Sequence, residues 1–107
     1  MLAYPLCDRT VTLYRQQDVQ VIRQVLHGCF YRYEDVAEDD RFVRKFLLIR
    51  PGAGELRPGD RVFDGIGPEE VVWAEFLPVN VPGLSQAEYA APHYFDGNIA
   101  HWEAGRK

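Results

Sequence analysis

Serine occurs once in this chain of 107 residues, as Ser85, and cysteine twice, as Cys7 and Cys29. The single serine, in "GLSQA", lacks the GxSxG surroundings of a nucleophile elbow, so a serine triad has no starting point. The two cysteines make neither a CxxC redox pair nor a metal-ligand spacing. No apolar run approaches the ~20 residues that span a bilayer. The opening "MLAYPLCDRT" lacks the basic start and apolar stretch of a signal peptide. Positive charge is also short: 12 Lys and Arg stand against 16 Asp and Glu, for a net charge of -4. A general duplex-DNA binder needs the opposite balance. These absences point to a soluble intracellular protein with reduced thiols, a Cys7–Cys29 disulfide being the alternative.

What is present is ordinary globular material. Apolar residues make up 47% and charged residues 26%, which argues against wholesale disorder. The length suits one domain, residues 1–107, with a single core. Aromatics reach 13%, and with the β-branched residues they lean the chain towards sheet.

Pro and Gly cut the chain into short pieces, the pattern of many brief strands. "RTVTLYRQ" alternates, with Thr10, Thr12 and Tyr14 on one face and Val11 and Leu13 on the other, as in a half-buried strand. Gln16-Gln17-Asp18 offers a turn. "VQVIRQVLHG" carries Val21, Ile22, Val25 and Leu26 at helical spacing, but its β-branched content and the short turn before it favour a strand paired with the first. "CFYRYED" reads as a third strand, with Cys29, Tyr31 and Tyr33 on one face. It leads into "EDVAEDD", a dense acidic run expected to form a solvated loop tip. "RFVRKFLLIRP" is the fourth strand, apolar on both faces over Phe46–Ile49 and so expected to cross the core. Pro58-Gly59 marks a tight turn before the short strand "RVFDG". In "GPEEVVWAEFLP", Pro68, the early glutamates and Pro78 predict a short helix. "LSQAEYAAPHYF" reads as one irregular strand, interrupted near Pro92, and Asp96-Gly97 is a type I′ hairpin signal before the return strand "NIAHWEA". The expected fold is mainly β: a small antiparallel barrel or sandwich of about six or seven short strands with at most one short helix.

No catalytic constellation emerges. Counting back from an Asp96-Gly97 turn pairs His93 with Ala100, so His93 and His101 should point to opposite faces and not share a metal. Cys29 lies two residues from His27, on the same face of an ideal strand, but a cysteine is more often a small buried hydrophobe than a nucleophile. The acidic run lacks the glycine and spaced donors of an EF-hand loop. "PGAGELRPGD" lacks the GK[ST] of a phosphate-binding loop.

The order "TVTLYRQ", "VLHGCFYRYED", "KFLLIRPGAGELRPGDRVFDG", "HYFDGNIAHWEAGRK" resembles the small minor capsid or head–tail connector proteins of tailed phages and of prophages of Gram-positive bacteria, which group with the head-completion, or stopper, proteins. The residues that carry the likeness are the Pro58-Gly59-Asp60 turn before a strand and the terminal Asp96-Gly97 hairpin with His101-Trp102. The resemblance implies a virion protein without enzymatic activity or cofactor. It implies a subunit that is a monomer or weak oligomer alone and forms a ring on the portal and adaptor, closing the DNA channel and receiving the tail-completion proteins. Packaged DNA would lie close by without sequence-specific binding, and no membrane is implied. Lumen, plug or interface loops would be sought at Glu34, Asp35, Glu38, Asp39 and Asp40, and at Gly52, Gly54, Glu55 and Arg57. Basic inter-subunit contacts would fall on Arg41, Arg44, Lys45, Arg106 and Lys107, with "EAGRK" ordering on docking and Trp102 as an aromatic anchor. The segment "GPEEVVWAEFLPVNVPGL" matches no motif of the family.

Two other readings compete. Aromatic enrichment suggests a β-barrel that holds a small molecule or peptide among Tyr31, Tyr33, Trp73 and Tyr94. A small enzyme would use Cys29 with His27.

Overall fold

The computed structural model describes residues 4–107. It contains β1 (Arg9–Gln17), β2 (Gln20–Glu38), β3 (Arg41–Pro51), β4 (Arg61–Asp64), β5 (Leu84–Gln86), β6 (Tyr89–Phe95) and β7 (Asn98–Arg106). All pairings are antiparallel, in the order β5-β4-β1-β2-β3-β7-β6, so the mainly β expectation holds. The sheet curls without closing into a barrel.

Three tight hairpins set the register, and each turn opens on an aspartate with positive φ: Asp18 (56°), Asp39 (55°) and Asp96 (53°). Aspartate tolerates this left-handed conformation better than most side chains. Gly97 follows Asp96 at φ 80°, completing the two positive values of a type I′ turn.

The second and third expected strands are one, the 19-residue β2. Gly28, at φ 71°, sits in a bulge: β1 advances from Arg9 to Val11 while β2 advances from Leu26 to Cys29. One extra residue on β2 bends it there. Residues up to Cys29 pair with β1 and those from Phe30 onward pair with β3. One bent strand thus belongs to both halves of the sheet.

The two halves fold over a shared core of Val11, Leu13, Leu26, Cys29, Tyr31, Phe46, Leu48, Leu56, Val62, Ala87 and Ala104. The buried hydroxyls of Tyr31 and Ser85, 2.7 Å apart, join β2 to β5 across it. The amide of Glu88 donates to Gly105 O at 2.8 Å, carrying the chain from one half to the other.

β1 is not half-buried, as its alternation suggests. Thr12 and Tyr14, on its other face, are fully covered. The cover is residues 65–83, where Tyr14, Phe76 and Leu84 form a second cluster with Val21, Phe63, Val71, Trp73 and Val81 around them. This segment forms no helix. Its helical bonding is limited to two isolated turns, Phe76 N donating to Val72 O and Val81 N to Leu77 O, each at 2.9 Å. Its carbonyls go to side chains instead: Tyr14 Oη donates to Pro68 O, Arg23 to Gly67 O and Pro68 O, and Arg61 to Trp73 O and Phe76 O. Capping signals at Pro68 and the glutamates could not reveal these competing donors.

"LSQAEYAAPHYF" likewise splits, into β5 and β6 at opposite edges of the sheet. Pro92 does not interrupt β6. It lies on an edge strand, where a missing amide costs no pairing. The end of the chain is also more ordered than a docking tail: Glu103–Arg106 belong to β7, which pairs with both β3 and β6, and Ala104 is buried.

Candidate functional site

The β2–β3 hairpin outruns the rest of the sheet. β1 leaves β2 at Cys29, and β7 joins β3 only from Phe46. Between them, Tyr33 to Lys45 form a two-stranded arm that no other strand among the described residues flanks. Unpaired strand edges are templates for another chain. The acidic run is therefore mostly strand, with only Asp39 and Asp40 in the turn, and it projects as part of this arm.

The arm pairs the acidic and basic runs with each other. Register sets Glu34 opposite Lys45, Asp35 opposite Arg44 and Glu38 opposite Arg41. Arg44 grips Asp35 in a two-pronged pair, Nε to Oδ1 at 2.8 Å and Nη2 to Oδ2 at 3.1 Å, and Arg44 holds the Asp35 carboxyl below its ordinary range. The same guanidinium donates to Leu84 O and lies 4.7 Å from the Tyr33 ring centre, tying the arm's base to β5. Runs that suggest separate complementary patches are thus neighbours across one hairpin.

Beside the arm lies an open groove of about 940 Å³, between β3 and the 77–82 segment, with Gln86, Ala87, Glu88 and Arg106 also lining it. Two of its side chains are bare: Phe42 is 76% and Val79 87% exposed. Large exposed apolar groups near an open strand edge mark a contact surface.

Apart from Arg106, which lines this groove, the remaining expected site residues lie elsewhere. The loop with Gly52, Gly54, Glu55 and Arg57 is held against the sheet: Gly52 N donates to Ala100 O, Arg15 Nη2 to Glu55 O, and Leu56 is buried in the core. Arg106 Nε meets Glu88 Oε1 at 3.1 Å, and Lys107 Nζ lies 5.2 Å from the Tyr89 ring centre. Trp102 packs on the main core, and its enclosed Nε1 has no acceptor among the described residues.

The histidines differ from expectation. Tyr94 pairs with Ile99 as anticipated, but a second bulge leaves Ala100 without an opposite number and sets His93 across from His101. Gly52 takes the Ala100 carbonyl. The two imidazoles therefore stack, with ring centres 4.7 Å apart and planes 10° from parallel. The Tyr4 hydroxyl lies 2.9 Å from His101 Nδ1, and Glu103 Oε1 lies 3.9 Å from His93 Nε2. Burial and the neighbouring His93 push the His101 pKa down. Among the described residues no three His, Cys, Asp or Glu side chains converge on a metal position.

Nor does Cys29 face His27. The Gly28 bulge turns Cys29 into the core beside Leu26, while the exposed His27 has Nδ1 3.0 Å from Thr10 Oγ1. Burial raises the Cys29 thiol pKa to about 11, which keeps it protonated near neutrality. Of the proposed aromatic ligand set, Tyr31 and Tyr33 lie together, ring centres 5.4 Å apart, but the other two are elsewhere. Tyr31 is in the main core, Trp73 packs in the second cluster, and Tyr94 is 66% exposed beside the Asp96-Gly97 turn. No protein-family model, curated protein or solved structure matches this chain.

Proposed function

We propose that this protein is a structural subunit of a phage or prophage virion, a head–tail connector or head-closure component without enzymatic activity. It docks on the portal and adaptor ring, self-associates there, closes the DNA channel and receives the tail. The observation that carries this reading is the arm, Tyr33 to Lys45, with a free edge on each side and an exposed groove at its base. A ring needs heterologous contacts, in which one surface of a subunit meets a different surface of its neighbour. An arm on one side of a groove supplies two such surfaces. The acidic turn Glu38-Asp39-Asp40 suits a position near packaged DNA, because carboxylates repel phosphates and prevent adhesion. The sequence resemblance supplies the particular assembly.

The test is proteomics on particles purified after induction of the encoding phage or prophage. The reading expects this chain in stoichiometric amounts with portal protein in filled, tailed particles. Its absence from particles, or a locus without capsid, portal or tail genes, would remove the proposal.

A further inference from the structure

We propose that the pocket formed by Arg61, Trp73, Arg57 and Arg15 is a binding site for one carboxylate, presented by an acidic side chain of a partner protein. The inference stands on this pocket alone and does not depend on the assembly role. Arg61 is only 6% exposed and, among the described residues, has no carboxylate partner. Its Nη1 donates to Trp73 O at 2.6 Å and Phe76 O at 2.8 Å, and its Nε donates to Gln86 Oε1 at 3.2 Å. Nη2 has no acceptor among the described residues, yet it is not sealed from solvent. Among the described residues, the one fully enclosed side-chain polar atom without a partner is Trp102 Nε1.

The Trp73 ring covers one face of the guanidinium, with Cζ 3.7 Å from the ring centre. Arg61 lines a pocket of about 290 Å³ together with Arg15, Arg57, Trp73 and Gln86. That is below the ~300–1,000 Å³ of ordinary small-molecule sites, and suits a carboxylate with a short aliphatic stem.

Charge selects the ligand. Arg15 is paired with Asp60 and Arg57 with Glu55, so three cations face two anions and one positive charge is left, on Arg61. A cation held away from water without a counterion is costly, and burial alone lowers the Arg61 pKa. One monoanion restores neutrality, whereas a phosphate dianion would overshoot. The free N–H groups of Nη2 can donate a charge-assisted hydrogen bond to one carboxylate oxygen.

The experiment is an NMR titration of the ¹⁵N-labelled full chain with N-acetyl-L-glutamate, using N-acetyl-L-glutamine and inorganic phosphate as comparisons. Saturable shifts are expected at the Trp73 indole and Arg61 Nε–H, absent with the glutamine analogue and weaker with phosphate. Arg61→Gln should abolish them. Because Arg61 also holds the 73–76 turn, the exposed neighbours give an independent readout: Glu55→Gln should tighten binding several-fold and Arg57→Gln should weaken it. Self-association abolished both by Arg61→Gln and by a Glu38→Gln, Asp39→Asn, Asp40→Asn triple variant would identify the donor as a second copy. Binding by a chain that stays monomeric would identify the donor as another protein. No saturable shift in the native chain, equal shifts with the glutamine analogue, tighter phosphate binding, or indifference to Glu55→Gln would overturn the proposal.

Discussion

Replacing Asp60 by Ala should damage this fold more than any other single change to a charged side chain discussed here. Asp60 is 2% exposed and receives three donors: Arg15 Nε and Nη2, each at 2.8 Å, and the Arg57 amide at 2.8 Å. Through them it fixes the Pro58-Gly59 turn to β1. Removing the carboxylate leaves the Arg15 side chain, 19% exposed, without its counterion, and the Arg57 amide without an acceptor. Breaking a buried pair from one side costs about 3–5 kcal/mol. The residual exposure of Arg15 places this one near the lower end, about 3 kcal/mol. For a domain near this size, that is a fall in Tm of about 12–24 °C, taking about 4–8 °C per kcal/mol. Urea denaturation should show a lower midpoint with an unchanged slope. Asp35→Ala is the control. It removes a pair of similar geometry, but Asp35 is 49% exposed, so the loss should be about 1 kcal/mol or less. Asp60→Leu combined with Arg15→Met should recover much of the loss, since the stranded charge is then gone. Equal losses for Asp60→Ala and Asp35→Ala would refute the reasoning.

Other outcomes follow from the same geometry. Because the folded pKa of His101 lies below its ordinary value, its contribution to stability is present above pH ~6.5 and is lost as pH falls through the depressed value. Melting curves between pH 7.5 and 5 should fall less steeply for His101→Asn than for the native chain, and equal slopes would argue against the buried His101 as the cause. The Cys29 thiol should resist a disulfide reagent in the folded protein and react on unfolding; fast labelling of native Cys29 would contradict its burial. A methyl group at Gly105 would collide with Phe46 O and crowd the Tyr89 ring, so Gly105→Ala should destabilise by about 1–3 kcal/mol, measured by urea titration. An unchanged midpoint would mean that β3 and β7 can move apart.

Much of this architecture is legible in the sequence where local chemistry acts alone. Asp96-Gly97 and Pro58-Gly59 need particular backbone angles, and Phe46–Ile49 carries an apolar run whose alternate members, Phe46 and Leu48, are buried. The failures occur where distant groups intervene. Arg61, Arg23 and Tyr14 claim the carbonyls that a helix over 68–77 would have used. Gly28 and Ala100 each insert one residue into a pairing, and a one-residue slip turns every later side chain over. That is why the His27–Cys29 pair dissolves and the His93–His101 pair forms. The arm is hidden for a related reason: its sequence looks like any strand–turn–strand, and only the early departure of β1 and late arrival of β7 leave it unsupported. Arg61 carried a faint signal, as a cation at the start of the otherwise apolar "RVF".

The most direct test of the central claim removes the end of the arm and keeps its base. Replacing residues 37–42 with Asn-Gly joins Val36 to Val43, already opposite each other, through a two-residue turn. It deletes the exposed Phe42 and the acidic turn while sparing the Asp35–Arg44 pair. Introduced into the encoding phage or prophage, the shortened gene should yield a folded protein that melts within a few degrees of the native one, together with heads that lose DNA or carry no tails. Full yields of infectious, tailed particles from a stably folded shortened protein would contradict the account.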